Sequence, residues 1–227
     1  MQFVILGILL LLVIYGPQFW ARTTFKRYNK PSPHFPGTGG ELARHLLDKF
    51  ELHNVLVEVS DIGDHYDPTS RTVRLSPDNY DAKSLTAITV AAHEVGHAVQ
   101  HSQNHPMLTL RSKLVRVAVI AEKMGSIAII AIPFVTAISR SPSLGLLLFI
   151  VALGSMLIST IVHLVTLPVE WDASFGKALP VLKAGNYIDS QELKGAEKIL
   201  RAAAFTYVAG SLASLLNLWR WMAILRR

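Results

Sequence analysis

Two long stretches without a charge limit what this chain can fold into. Residues 3–20 and 144–167 contain no Asp, Glu, Lys or Arg, and roughly 20 apolar residues are what an α-helix needs to cross the hydrocarbon core of a bilayer. Residues 117–138 are a third candidate span, interrupted near the start by Glu122 and Lys123. Residues 202–225 are a fourth, with Arg220 close to the end. Hydrophobic residues make up 51% of the chain and mean hydropathy is +0.36, both high for a water-soluble domain. The expected fold is mainly α: a multi-pass helical membrane protein carrying one small α+β unit outside the spans.

This predicts a transmembrane anchor over 1–20, a polar segment over 21–116 and two transmembrane helices with a short loop over 117–167. A second polar segment follows over 168–203, then a fourth transmembrane or interfacial helix over 204–227. No basic residue precedes the first apolar run and no small-residue cleavage pattern follows Pro17, so an uncleaved anchor is expected rather than a signal peptide. Arg22, Lys26, Arg27 and Lys30 follow the first span, and Arg111, Lys113 and Arg116 precede the second. By the positive-inside rule the polar segment faces the cytoplasm, in the cell membrane. Residues 168–203 add five more cations against the single Arg140 of the 139–143 loop, which fits the same orientation, whereas Arg226 and Arg227 run against it. The net charge of +6 sits largely beside apolar spans, where lipid headgroups attract it, so no nucleic acid partner is expected. The chain has no cysteine, so any metal must be held by His, Asp or Glu. Oligomeric state is not legible.

After a Pro- and Gly-rich linker at 29–40, Leu42, Leu46, Leu47 and Phe50 fall at helical spacing and predict a short amphipathic helix. Val55, Val57 and Val59 alternate, as do Val73 and Leu75, with Asp67-Pro68-Thr69-Ser70 as turn chemistry between them. A small antiparallel pair is expected. Ser84 can cap the next helix, which is nearly all apolar up to His93 and stops before Pro106. So apolar a helix is expected to be buried.

That helix carries His93-Glu94-Val95-Gly96-His97, an HExxH motif. The four-residue spacing puts both imidazoles on one face, one turn apart, where they can chelate one zinc ion. Glu94 projects about 100° round from His93, beside the metal-bound water rather than on the metal, in position for a general base. Zinc lowers the pKa of such a water to about 7, and peptide hydrolysis is the natural chemistry. A chance match is the competing reading, but two imidazoles and a carboxylate on a buried helix need partners.

A third ligand is still required. The longer motif with a third histidine would need it at position 103, which is Gln103. His101 lies two turns from His93, about 12 Å along the axis, too far to share a zinc. His101 and His105 are expected to be polar helix-exit residues or weak accessory metal contacts. The better source is the run LPVEWDASFGKA at 167–178. Glu170 would complete a two-His, one-Glu set, with Asp172 as a rival ligand or a group that hydrogen-bonds a zinc-bound histidine. A solvated helix start after Pro168 would explain both acids without a metal.

The runs GTGGELARHLLDKF, DHYDPTSRTVRLS, AAHEVGHAVQH and LPVEWDAS together resemble the neutral zinc metallopeptidases of bacterial membranes, the YugP-like proteins. The resemblance covers most of the chain. It implies an integral membrane metalloprotease of the zincin class acting on peptide or protein substrates, with His93 and His97 as ligands and Glu94 as base. Zincins whose third ligand is Glu often carry an acid four residues later, where this chain has Ser174.

Three side readings follow. Asp64, His65 and Asp67 either orient a substrate or a zinc ligand, or are plain turn residues. By zincin analogy the strand at 71–75 is expected to be an edge to which a substrate strand could add. His163 is expected to pack between spanning helices, with Glu122 and Lys123 at the membrane interface. The competing function is a non-hydrolytic zinc-binding membrane protein, either a carrier using the histidine strip or an inactive scaffold. Glu94 separates the two classes, since a carrier has little use for a base beside its ligands.

Overall fold

The computed structural model describes residues 2–225, with side chains from 11 to 216. Arg226, Arg227 and the side chains of much of the expected 1–20 anchor lie outside the described residues, as does the side chain of Arg220. The chain divides into two compact units, residues 1–108 with 168–206 and residues 109–167 with 207–227.

The first unit begins with helix α1 (Gln2–Tyr28) and then α2 (Gly39–Lys49). The Thr38 hydroxyl accepts from the Glu41 N–H while the Glu41 carboxylate accepts from the Thr38 N–H. This reciprocal cap fixes where the helix starts, and Leu42, Ala43, Leu46 and Leu47 then bury one face, as their spacing predicts.

Three strands follow: β1 (Leu56–Val59), β2 (His65–Asp67) and β3 (Thr72–Leu75), in sheet order β1-β3-β2. The antiparallel pair expected from the two valine runs does not form. β1 and β3 are parallel, with Val57 opposite Val73, and β2 pairs antiparallel to β3, with Tyr66 opposite Val73. The turn signal at 67–70 is real, but it closes a β2–β3 hairpin. That hairpin uses the short DHYDP strand, which carries too few apolar residues to stand out by alternation. β3 is therefore central and paired on both sides, which removes it as an edge for substrate.

The short helix α3 (Pro77–Tyr80) leads to α4 (Leu85–Ser102). The Ser84 hydroxyl accepts from the Ala87 N–H at 3.1 Å and donates to Asn29 Oδ1 at 2.7 Å, so one buried side chain caps α4 and ties it to the segment after α1. Leu85 to Gln100 are buried apart from the partly exposed His93. Val95 and Val99 join Leu46, Leu47, Val73 and Leu75 in one core, with Leu182, Ile199 and Leu200 from the later helices.

The second unit is built from parts of three long helices, α5 (Pro106–Ser139), α6 (Pro142–Trp171) and, after further elements, α8 (Ser190–Leu225). Thr160 and Ser214 hydrogen-bond across α6 and α8 at 2.7 Å. His163 lies against Gly210, packed between helices as expected. Ile130, Phe134, Ile138, Leu147 and Ile150 are exposed, the kind of surface that lipid covers. Among the described residues three helical stretches are long and apolar enough to cross a membrane: Pro106–Ser139, Pro142–Ala184 and Ser190–Leu216.

No new helix begins after Pro168. α6 runs through that proline and passes directly into a π-helix (Asp172–Ala178) and then α7 (Leu179–Ala184). Proline removes an N–H from the helical ladder, but here the α-helix continues through it to Trp171. The solvated helix start proposed as a metal-free account of the acidic pair is thereby excluded for Glu170, which is 1% exposed.

Ser84→Ala removes the cap of α4 and leaves Asn29 without its donor. It should lower the stability of the purified protein by about 1 kcal/mol, read as a reduced melting temperature in detergent; an unchanged melting curve would contradict this role.

Candidate metal centre

The first turn of the site is a property of α4. His93 and His97 stand one turn apart with their rings edge to face, centroids 4.8 Å apart. Glu170, on the last turn of α6, brings Oε2 to 3.2 Å from His93 Nε2 and 3.4 Å from His97 Nε2. One donor atom from each of the three residues lies within 4.8 Å of the others.

These residues fit zinc. Ligands at about 2.0–2.1 Å around a tetrahedral zinc stand about 3.3 Å from one another, which matches the spacing of the Glu170 oxygen from both nitrogens. The Nδ1 atoms have other partners: Ser174 Oγ lies 3.1 Å from that of His93, and Gln100 Oε1 lies 3.0 Å from that of His97. Both imidazoles thus present Nε2 to the same point. A carboxylate buried this deeply without a cation would be costly.

Close approach of the two helices depends on Gly96. A Cβ there would stand 2.8 Å from the Ala173 carbonyl oxygen, so a larger residue at this position would push α4 away from the π-helix. The variable fourth position of HExxH is in this chain a packing requirement.

Glu94 is buried beside the cluster. Burial pushes its carboxyl up to about 7. The charge of His93 opposes this, those of Glu170 and Asp64 add to it, and the Tyr66 N–H opposes it. A group with that affinity for protons is suited to accept one and return it.

The remaining acids and histidines are not brought to the cluster. Asp172 Oδ2 accepts from Gln100 Nε2 at 2.8 Å, so it reaches neither imidazole of the motif. His101 turns toward β2, with Nδ1 2.7 Å from the Tyr66 hydroxyl, and burial lowers its proton affinity. His105 Nε2 lies 4.0 Å from Asp172 Oδ2. The four histidines therefore do not form one metal-collecting strip. Asp64 accepts from the Ser76 N–H, the Ser76 hydroxyl and Asn79 Nδ2, which anchors α3. Asp67 accepts from the Thr69 N–H, Ser70 Oγ and Arg74, contacts that hold its carboxyl well below the usual range. His65 Nδ1 is 3.1 Å from the Gly63 carbonyl. The side-chain contacts of these three stay within β2, β3, α3 and the turns joining them, and none goes to a member of the cluster.

Two contributors lay outside the sequence reading: Ser174 as a partner of His93, and Gln100 as a partner of His97. Only Gln100 left a signal, as an amide one turn beyond His97 on a helix otherwise apolar enough to be buried.

A family model described as "Putative neutral zinc metallopeptidase" matches residues 3–226. The chain belongs to this zinc metallopeptidase family. It is 37% identical over 228 residues to the "Putative membrane protease YugP" of Bacillus subtilis (strain 168), covering 99% of this chain and 96% of that protein. No solved structure matches the chain.

If Glu170 is the third ligand, Glu170→Ala should abolish tight zinc binding while His101→Ala leaves it nearly unchanged. Chelator-competition titration of the purified variants checks this; equal loss from both would contradict the assignment.

Proposed function

We propose that the protein is a membrane-embedded, zinc-dependent peptidase in which His93, His97 and Glu170 hold the metal and Glu94 is the general base. The observation that carries the proposal is the convergence of two Nε2 atoms and one buried carboxylate oxygen beside a second carboxyl with raised proton affinity. In this reading residues 1–108 and 168–206 form a zincin-like unit, with the HExxH helix packed beneath a small sheet.

Bound zinc would supply Lewis acidity toward a peptide carbonyl and lower the pKa of the attacking water. The protein's own residues do the rest. Glu170 and the two imidazoles fix where the metal sits. Glu94 takes the proton of the attacking water at a carboxylate oxygen and delivers it to the departing amide nitrogen, so that the acyl C–N bond breaks and the carboxyl regains an acceptor state. His93, with the most exposed side chain of the three proposed ligands at 14% against 7% for that of His97, marks the side from which a peptide enters.

The non-hydrolytic carrier is the weaker reading, because His101 and His105 point elsewhere and Glu94 would have no task. Glu94→Gln separates the two. The variant keeps size and should retain one zinc per chain, while turnover of a generic unfolded protein in detergent or lipid falls at least ~100-fold. Unchanged turnover would refute the mechanism.

We also propose that this unit faces the cytoplasm, on the strength of the cations flanking residues 21–116. Asp61 is exposed in that unit, and the chain has no other thiol. Asp61→Cys should resist a membrane-impermeant thiol reagent in intact cells and react after lysis; ready labelling of intact cells would reverse the orientation.

A further inference from the structure

We propose that Gln100 and Asp172 form a relay that dictates the tautomer of His97, making Gln100 a positioning residue for the metal site and Asp172 the group that orients Gln100. This rests on the zinc peptidase reading above and adds a device to it.

Gln100 is completely buried. Its Nε2 lies 2.9 Å from the Val169 carbonyl oxygen and 2.8 Å from Asp172 Oδ2. A backbone carbonyl and a carboxylate can only accept, so the amide NH2, with two hydrogens to give, must face them. Its oxygen is then turned to His97 Nδ1 at 3.0 Å. An amide oxygen cannot donate, so Nδ1 must carry the proton. In a neutral imidazole that leaves the lone pair on Nε2, the atom 3.4 Å from Glu170. The chain of obligation runs one way, from Asp172 and Val169 through Gln100 to His97.

The contact to His93 has no such direction. Ser174 Oγ can donate or accept, so it accommodates either tautomer of His93 rather than selecting one. The absence of an acid at position 174 is thus compensated at the other histidine, with the negative charge set back by one amide. Two further contacts keep Asp172 available: Lys177 Nζ and His105 Nε2 each lie 4.0 Å from Oδ2. Gly176 gives the carboxylate its place, since a Cβ there would come within 2.2 Å of Asp172 Oδ1. The same Gln100 amide bonds the carbonyl of Val169, the residue before Glu170, so it also couples the helix bearing the histidines to the one bearing the third ligand.

The test is zinc affinity of the full-length protein in detergent, measured by chelator competition, in a double-mutant cycle. Gln100→Met keeps the side-chain volume and removes both ends of the relay; affinity should fall roughly 10- to 100-fold, the range for groups that orient metal ligands. Asp172→Ala should fall by about tenfold, whereas Asp172→Asn, which still offers an oxygen to Gln100, should stay near wild type. The double variant Gln100→Met with Asp172→Ala should be no weaker than Gln100→Met alone, because Asp172 acts only through Gln100. Additive losses, or wild-type affinity in Gln100→Met, would overturn the relay. Should Gln100→Met fail to fold, the two Asp172 variants decide: equal affinity for Ala and Asn overturns it. Wild type that binds no zinc would instead overturn the peptidase reading on which the relay rests.

Discussion

The structure turns on one unfavourable placement, a carboxylate on a nearly inaccessible side chain set between two imidazoles. Glu170 is 1% exposed, and the imidazoles of His93 and His97, with Nε2 atoms 3.2 and 3.4 Å from its oxygen, offset the loss of its hydration. Everything near it is arranged to hold that geometry. The apolar composition of α4 buries the histidines, Ser84 fixes where the helix begins, Gly96 lets it approach the π-helix, and each Nδ1 has a partner that leaves Nε2 facing Glu170. If the proposed zinc binds at this point, metal binding and local folding are expected to be coupled.

Much of this was legible from residue chemistry. The boundaries of α4 followed from a cap, an apolar run and a proline. The pairing of His93 and His97 on one face followed from four-residue spacing, and Glu170 as the residue that joins them from the absence of cysteine, the failure of the longer histidine motif and the reach of a straight helix. Helix length alone ruled out His93 and His101 sharing one zinc, and His101 and His105 do turn to other partners.

What stayed hidden depends on contacts distant in sequence. Strand direction could not be read because valine alternation is the same in parallel and antiparallel pairs, and the DHYDP strand is too short and polar to show a period. The π-helix has no compositional mark, and Pro168 argues locally for a break that the helix does not make. Asp172 illustrates the difference between type and connection. Its residue type suggested a ligand or a direct partner of a zinc-bound histidine, but its oxygen goes to Gln100, a side chain 72 positions away. Ser174 was noticed as a departure from the pattern of related enzymes, and only its 3.1 Å approach to His93 Nδ1 gives it a role.

The central claim is that two imidazoles and one carboxylate hold a single zinc. X-ray absorption at the zinc edge on the purified, zinc-loaded protein tests it most directly. The account predicts one zinc per chain with two histidine nitrogens and the remaining ligands oxygen, at about 2.0–2.2 Å. A shell of three or four imidazoles, or six oxygens with no imidazole, would contradict it.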